Sequence, residues 1–291
     1  MRALLALIAV TAVWGVTFVQ VKDAVEIYPL FAFLAVRFAI ASVTLAAPAA
    51  ARLHSLGRRG FGAGAALGLL LAVGFAFQTA GLERTTVSST GFITGMYVVL
   101  TPLTALALFR HRIGLAAWLG VALAVLGLGL LSGVSAGSPN GDLLVLAAAA
   151  VYSLQIVLME RYAPRYDALA LTFVEMLAAV ALFGLIAGVR GDLSVPRGAT
   201  VWAALIVTGV FASALAFLVQ TWAQREASAT KTALAFSMEP VWTGIFGFLL
   251  AGDRLGTLGW TGCGIILAGI VVAEPTAART LVRILSGRRR S

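Results

Sequence analysis

Residues 231–242 read KTALAFSMEPVW, which places a lysine, a glutamate and a proline inside a segment that is otherwise apolar from Ala229 to Gly252. A carboxylate is costly in lipid, and a kink that exposes backbone groups there is tolerated only where protein or water lines it. What this segment does therefore depends on the solvent that surrounds the chain.

The composition indicates that this solvent is a lipid bilayer. Of the 291 residues, 60% are hydrophobic and 11% are charged, and the mean hydropathy is +0.99. A soluble domain carries about 25% charged residues, so this chain cannot cover a water-facing surface. The apolar runs do not alternate and are too long for barrel strands, so the spans are expected to be helices.

The spacing of the charges predicts an all-α integral membrane protein, because short polar gaps recur at about the length of one span, roughly 20 residues. Ten transmembrane helices are predicted, at 3–20, 29–51, 60–81, 88–109, 114–133, 142–159, 168–189, 200–222, 230–252 and 257–274. The first run is longer than the apolar part of a typical signal peptide, so we interpret it as a retained helix.

The basic residues favour one orientation of these helices. With a cytoplasmic N-terminus, fourteen arginines fall on the inner side and five lysine or arginine residues on the outer side, as the positive-inside rule requires. The sequence therefore predicts a multi-pass protein of the plasma (inner) membrane with both termini in the cytoplasm. The net charge of +9 then reflects loops and a basic cytoplasmic tail at 279–291, which would contact anionic lipid rather than nucleic acid.

The chain also repeats itself. A shift of 138 residues places Arg37 on Glu175 and the Thr-Pro pair at 101–102 on the Glu-Pro pair at 239–240. A shift of 142 residues aligns a tryptophan and two glycines of the last helix in each half. The order of these matches indicates an internal duplication.

Each half would hold five helices, an odd number, so the second half would enter the membrane from the opposite side. We therefore predict a first five-helix repeat at 1–134 and a second, inverted five-helix repeat at 135–278. Inverted repeats are characteristic of secondary transporters, in which the substrate site lies near the midplane where the halves meet.

Four stretches of the chain resemble the EamA-like family of the drug/metabolite transporter superfamily. Residues 12–22, 34–41, 85–106 and 227–255 are similar to the first, second, fourth and ninth helices of that family, although Asp253 stands where the family more often has glutamate. The resemblance implies ten helices in two halves and a carrier of amino acids, drugs or other small metabolites. It does not fix the substrate.

Three ionisable side chains are predicted deep in the membrane. Arg37 and Glu175 lie at similar depths on different helices, so we predict a structural pair across the halves, with a substrate contact as the alternative. Glu239 lies near the midplane, where it either lines a polar cavity or holds two helices together. Pro240, and Pro102 at the equivalent place, are predicted to kink their helices and to act as hinges.

Aromatic and uncharged polar side chains complete the predicted pocket. A tryptophan or tyrosine near the middle of a span needs a partner for its N–H or O–H, which lipid tails do not offer. Such residues are expected to face inward, with simple core packing as the alternative for each. The predicted substrate-binding residues are Trp14, Thr17, Thr94, Tyr97, Tyr152, Gln155, Glu239 and Trp242.

These features predict a secondary transporter that exports small metabolites by alternating access. The pocket has no cluster of cations, so phosphorylated substrates are disfavoured and neutral or aromatic amino acids fit better. A multidrug or other small-metabolite carrier and a channel-like facilitator are the alternatives. Whether protons are coupled through Glu239 stays open, and no oligomer is required.

An enzyme is not expected. Both histidines and all five aspartates fall in loops or at the edges of spans, so no catalytic pair can be assembled at membrane depth. Cys263 is the single cysteine, and no Walker motif is present. No metal site, cofactor or nucleic-acid partner is therefore predicted, and the expected partners are a small-molecule substrate and the lipid bilayer.

Overall fold

A computed structural model describes residues 2–110, 113–132, 138–246 and 256–273, and all regular structure in these ranges is helical. The first part of the chain forms α1 (Arg2–Ile27), α2 (Leu30–Ala50), a 3₁₀ turn (Leu53–Leu56), α3 (Gly57–Leu82), α4 (Val87–Gly95), α5 (Tyr97–Phe109) and α6 (Leu115–Ser132). The second part forms α7 (Pro139–Tyr162), a 3₁₀ turn (Ala163–Arg165), α8 (Ala168–Arg190), α9 (Ala199–Ile206), a π-helical segment (Val207–Leu215), α10 (Ala216–Ala223), α11 (Ala229–Phe236), α12 (Glu239–Phe246) and α13 (Thr257–Ala273). The predicted tail at 279–291 lies outside the described residues.

Short polar residues begin several of these helices. Asp167 accepts hydrogen bonds from two backbone N–H groups of the first turn of α8, and Thr86 accepts one from Ser89 at the start of α4. These caps satisfy N–H groups that have no partner within the helix. Gly191 ends α8 in the left-handed conformation that glycine adopts without strain.

Seven helical segments within the described ranges are long and apolar enough to cross a membrane. They are Arg2–Ile27, Leu30–Ala50, Leu53–Leu82, Ser89–Phe109, Pro139–Arg165, Ala168–Arg190 and Ala199–Ala223. The apolar helices α6 and α13 are shorter, and the span predicted at 230–252 is described only as far as residue 246. The chain is thus a helical, multi-pass membrane protein, and the count of ten spans stays a prediction.

The two spans that carry the predicted hinge prolines are both interrupted, but only one interruption lies next to its proline. α11 ends at Phe236, and α12 begins at Glu239. Pro240 has no backbone N–H, so the carbonyl of Phe236 lacks the helical hydrogen bond that residue 240 would otherwise donate. In the first half the helix breaks at Met96, and α5 then continues through Pro102. The break in this span therefore lies at Met96 rather than at Pro102, and the hinge at Pro102 stays a prediction. Gly95, a weak helix former, stands next to the observed break.

Helices α6 and α13 pack closely through glycines. A Cβ atom on Gly120 would lie 2.6 Å from the carbonyl oxygen of Gly269, and one on Gly127 would lie 2.6 Å from that of Gly262. The lower-numbered glycine of one helix meets the higher-numbered glycine of the other, so the helices are antiparallel. In the sequence repeat, Gly120 is equivalent to Gly262 and Gly127 to Gly269. Replacing each glycine by its equivalent turns one of these contacts into the other, as it would about a two-fold axis.

The other helix contacts have the same symmetry. α3 packs against α7 and α8, whereas the segment from α9 to α10 packs against α1 and α2. If each helix is replaced by its equivalent in the other half, the contacts of α3 become those of the segment from α9 to α10. This pattern of contacts is the one expected of the inverted repeat at 1–134 and 135–278, which stays a prediction.

Candidate functional site

A cavity lies between the two halves, and helices from both halves line it. The cavity has a volume of about 80 Å³, measured as the space that the centre of a water molecule can occupy. On this measure one water needs roughly 10–15 Å³, so the cavity is larger than a single water requires. The predicted site residues that line it are Trp14, Thr17, Thr94, Tyr97, Tyr152, Gln155 and Glu239. Most of the predicted substrate-binding residues therefore line one cavity, although they lie far apart in the sequence.

One side of the cavity is a wall of aromatic rings. Trp14 is the centre of this wall, with its ring centroid 4.8 Å from that of Phe236 and 5.5 Å from that of Phe217. Phe217 continues to Phe75 at 6.1 Å, and Phe236 continues to Tyr97 at 6.3 Å. These spacings are typical of edge-to-face and tilted aromatic pairs. The wall offers an apolar surface to the flat or branched side chain of a ligand.

Trp14 is held in place by a hydrogen bond that the sequence did not predict. Its indole Nε1 donates to the carbonyl oxygen of Ala212 at 2.9 Å, and Ala212 lies in the π-helical segment. A π-helix closes its hydrogen bonds one residue further along than an α-helix, and such segments are frequent at functional sites. The bond fixes the plane of the ring against the cavity.

A row of hydrogen-bonded polar groups also lines the cavity. The hydroxyl of Tyr152 donates to Gln78 Oε1 at 3.0 Å, and Gln78 Nε2 donates to Thr94 Oγ1 at 3.1 Å. The three side chains come from α7, α3 and α4, so the chain of bonds joins the two halves. Gln78 was not among the predicted site residues, although an amide inside an apolar span is the kind of signal that identified Gln155.

Glu239 lines the cavity from the start of α12 and is 8% exposed. Its Oε2 lies 3.5 Å from the hydroxyl of Tyr97, at the outer limit of a hydrogen bond. Thr243, one turn further on, donates to the carbonyl oxygens of both Gly15 and Glu239 and thereby ties α12 to α1. The carboxylate is thus fixed at one end of the aromatic wall, beside Tyr97.

The predicted pair of Arg37 and Glu175 does not form. Arg37 lines the cavity and donates from Nε to Ser213 Oγ at 2.8 Å, whereas Glu175 accepts from Gln155 Nε2 at 2.7 Å. No ion pair joins the two among the described residues. Counting residues gave the depth of each side chain, but not the direction in which it leaves its helix. Glu175 lies in a hydrogen-bond network in which Gln220 also donates to Gln155 Oε1.

Trp242 does not line the cavity. It is half-buried, packs beside the cluster formed by α5, α6 and α13, and stacks on Phe246 with 6.0 Å between ring centroids. Its Nε1 has no hydrogen-bond partner among the residues that the structure describes. The sequence argument required inward-facing aromatic residues at this depth, and it did not anticipate that packing between helices would leave an indole N–H unsatisfied.

A search for metal-ligating groups gives no candidate. The described residues contain no group of three or more His, Cys, Asp or Glu side chains that could hold an ion.

Comparison with known proteins identifies the family. The sequence model of the EamA-like transporter family matches residues 1–133 and residues 139–273. This chain belongs to the EamA-like transporter family. An uncharacterized transporter of Archaeoglobus fulgidus is 30% identical to this EamA-like transporter over 273 residues, which are 93% of this chain and 85% of the relative.

Two further comparisons agree with the family assignment. The uncharacterized inner membrane transporter YedA of Escherichia coli K12 is 27% identical over 273 residues, covering 92% of this EamA-like transporter and 89% of the relative. A solved structure described only as a crystal structure of a protein aligns with a TM-score of 0.77 at 20% identity, over 96% of this chain and 98% of the other. At that identity the match shows the fold alone. The protein is thus a multi-pass membrane transporter of small molecules.

Proposed function

We propose that this transporter exports neutral or aromatic amino acids, or similar zwitterions, by alternating access. The observation that carries the proposal is the lining of the cavity, which combines a carboxylate, amides and hydroxyls with a wall of aromatic rings. Arg37 is the one cationic side chain that lines it within the described part of the chain, whereas a phosphorylated substrate would favour several. Amino acids with apolar side chains match this mixture of surfaces.

Alternating access rests on the inverted repeat, with halves at 1–134 and 135–278. The exchange of contacts between α6 and α13 supports a two-fold relation between the halves, as does the match of the family model to 1–133 and to 139–273. A cavity between two such halves opens to one side or the other when they rock against each other. A channel would need no such relation.

The test of the substrate is uptake into liposomes that contain the purified protein. Labelled phenylalanine, methionine and threonine should cross, and the flux should saturate, whereas glucose 6-phosphate should not. Trp14→Ala should lower the flux because it opens the aromatic wall, while Trp222→Ala is the matched control, since Trp222 lies on the outer surface of α10. Transport of the sugar phosphate without any amino acid would refute the proposal.

We also propose that both termini are cytoplasmic. A cysteine at Ser138, in a Cys263→Ala background, should react with an impermeant maleimide added to intact cells. A cysteine at Arg58 should react only after permeabilisation, because Arg58, in the first turn of α3, belongs to the basic stretch assigned to the inner side. The opposite labelling pattern would reverse the orientation.

A further inference from the structure

We propose that Arg37 forms a carboxylate-binding subsite of the cavity, in which the guanidinium holds the carboxylate group of the transported molecule. The inference rests on the proposed function, because it assigns one end of the amino acid to one residue. It also gives Arg37 a role different from the structural pairing that its sequence position suggested.

The first support is the position of the side chain. Arg37 is 4% exposed, and the little surface that it has lies in the cavity. Its Nε donates to Ser213 Oγ at 2.8 Å, which is the one hydrogen bond of this side chain within the described part of the chain. The two Nη groups therefore remain available, and together they form the edge of a guanidinium that binds a carboxylate through two parallel hydrogen bonds.

The second support is the absence of a counter-ion. No carboxylate forms an ion pair with Arg37 among the described residues, and Glu175, the equivalent residue of the other half, is bonded to Gln155 instead. A buried cation without a partner is costly. A protein that only needed to fill this space would carry an apolar residue, and a ligand carboxylate supplies the missing charge.

The third support is the surroundings of the guanidinium. Its central carbon lies 4.6 Å from the ring centroid of Phe75 and 5.6 Å from that of Phe38. Cation–π contacts hold the planar group in a fixed orientation without using its N–H donors. Phe75 also begins the aromatic wall that leads through Phe217 to Trp14. A molecule with its carboxylate on Arg37 would therefore place an apolar side chain along that wall.

Ser213 is a positioning residue for this subsite. It lies in the π-helical segment, and the neighbouring Gly209 lets that segment approach α2 so closely that a Cβ there would lie 2.9 Å from the carbonyl oxygen of Arg37. By accepting from Nε, the serine hydroxyl leaves the two Nη groups pointing away from it. Ser213→Ala should thus weaken carboxylate binding less than loss of the guanidinium does.

Three probes separate the carboxylate from the rest of the ligand. 3-Phenylpropanoate carries a carboxylate without an amine, phenylalaninol carries the amine without a carboxylate, and phenylalanine carries both. Binding to the purified protein is measured by isothermal titration calorimetry. Arg37→Gln should weaken 3-phenylpropanoate roughly 10- to 100-fold, as expected for hydrogen bonds to a charged group, and should change phenylalaninol less than about threefold.

Two further variants serve as checks. Arg37→Lys should bind 3-phenylpropanoate with intermediate affinity, because an ammonium cannot form the two parallel bonds. Arg84→Gln is the matched control, since Arg84 lies after the end of α3, outside the cavity, and its loss should change no affinity. If Arg37→Gln does not fold, the lysine variant alone must show the selective loss.

The outcomes also separate this inference from the proposed function. Arg37-dependent binding of 3-phenylpropanoate without transport of any amino acid would support the subsite and refute the function. Amino-acid transport whose rate and affinity do not change in Arg37→Gln would support the function and refute the subsite. Equal weakening of 3-phenylpropanoate and phenylalaninol, or no binding of any probe, would also overturn the subsite.

Discussion

Arg37 and Glu175 occupy equivalent positions in the two halves and have opposite environments. In both places a glycine of the other half packs against the turn that carries the charge. A Cβ on Gly68 would clash with the carbonyl oxygen of Glu175, and one on Gly209 would lie 2.9 Å from that of Arg37. The backbone packing is thus nearly the same, although one side chain reaches the cavity and the other is 0% exposed.

The comparison teaches that similar backbone packing can carry different chemistry, because the residues around each charge determine its environment. Around Glu175, the amide of Gln155 donates to the carboxylate, and the amide of Gln220 donates to Gln155 Oε1. Around Arg37, the aromatic ring of Phe75 and a single hydroxyl, that of Ser213, leave part of the guanidinium without a hydrogen-bond partner. One charge thus lies in a buried network, in which Glu175 Oε2 and Gln220 Oε1 have no hydrogen-bond partner among the described residues, whereas the other charge reaches the cavity.

The largest effect is expected from the glycines that both regions share. Gly68→Ala and Gly209→Ala should each lower the free energy of unfolding by about 3 kcal/mol, because each new methyl group meets backbone atoms that cannot move independently. Unfolding in detergent, followed by circular dichroism, measures the change.

The controls for these variants are glycines with open space. Nothing lies within 4 Å of a Cβ on Gly62 in α3 or Gly184 in α8, so alanine there should be neutral or stabilising, since alanine favours helices. Equal stability of Gly68→Ala and Gly62→Ala would break the claim that the glycine contact supports the scaffold.

The second-largest effect is a difference in the free energy of unfolding between a variant of Glu175 and a variant of Arg37. Glu175→Leu should lower the free energy of unfolding by about 2 kcal/mol, because the amide of Gln155 loses its acceptor in a buried place. Arg37→Met should leave it unchanged or raise it, because no buried carboxylate is left unpaired. Thermal unfolding of the two variants side by side is the measurement, and an equal loss in both would mean that Arg37 also has a structural role.

A smaller effect compares the two tryptophans that the sequence predicted for the pocket. Trp14→Phe should cost about 1 kcal/mol of stability, because it removes the hydrogen bond from Nε1 to Ala212. Trp242→Phe should cost less, since the N–H that it removes has no partner. Substrate affinity, measured on the same samples, should fall only for Trp14→Phe. A fall for Trp242→Phe would place that residue at the site in another state of the transporter.

The smallest effect concerns the prolines. We propose that the breaks before α5 and α12 act as hinges. Pro240→Ala restores an N–H that could bond to Phe236 and join α11 to α12, so transport should slow on the order of threefold, less than 1 kcal/mol in the barrier. Pro102→Ala leaves the break at Met96 in place and should transport at the wild-type rate. Equal slowing in both variants would favour the symmetric hinges that the sequence alone suggested.

The sequence by itself determined the membrane environment, the helical class and the family. Hydropathy is a sum over residues, so 60% apolar composition and short polar gaps suffice to indicate helices in a bilayer. Depth along a helix is likewise a simple count, and of the four aromatic residues that this count placed near the middle of a span, Trp14, Tyr97 and Tyr152 line one cavity and Trp242 does not.

The tertiary structure decided where each side chain points around its helix. Arg37 faces the cavity instead of Glu175, Trp242 faces a neighbouring helix, and the first break lies at Met96. Apolar residues surround all three places in the sequence, so periodicity gives no direction there. Orientation is set by close contacts between helices, such as those at Gly68, and by the π-helical segment, which turns its carbonyls toward Trp14. Such contacts join residues far apart in the chain, and they exist only once the two halves have packed together.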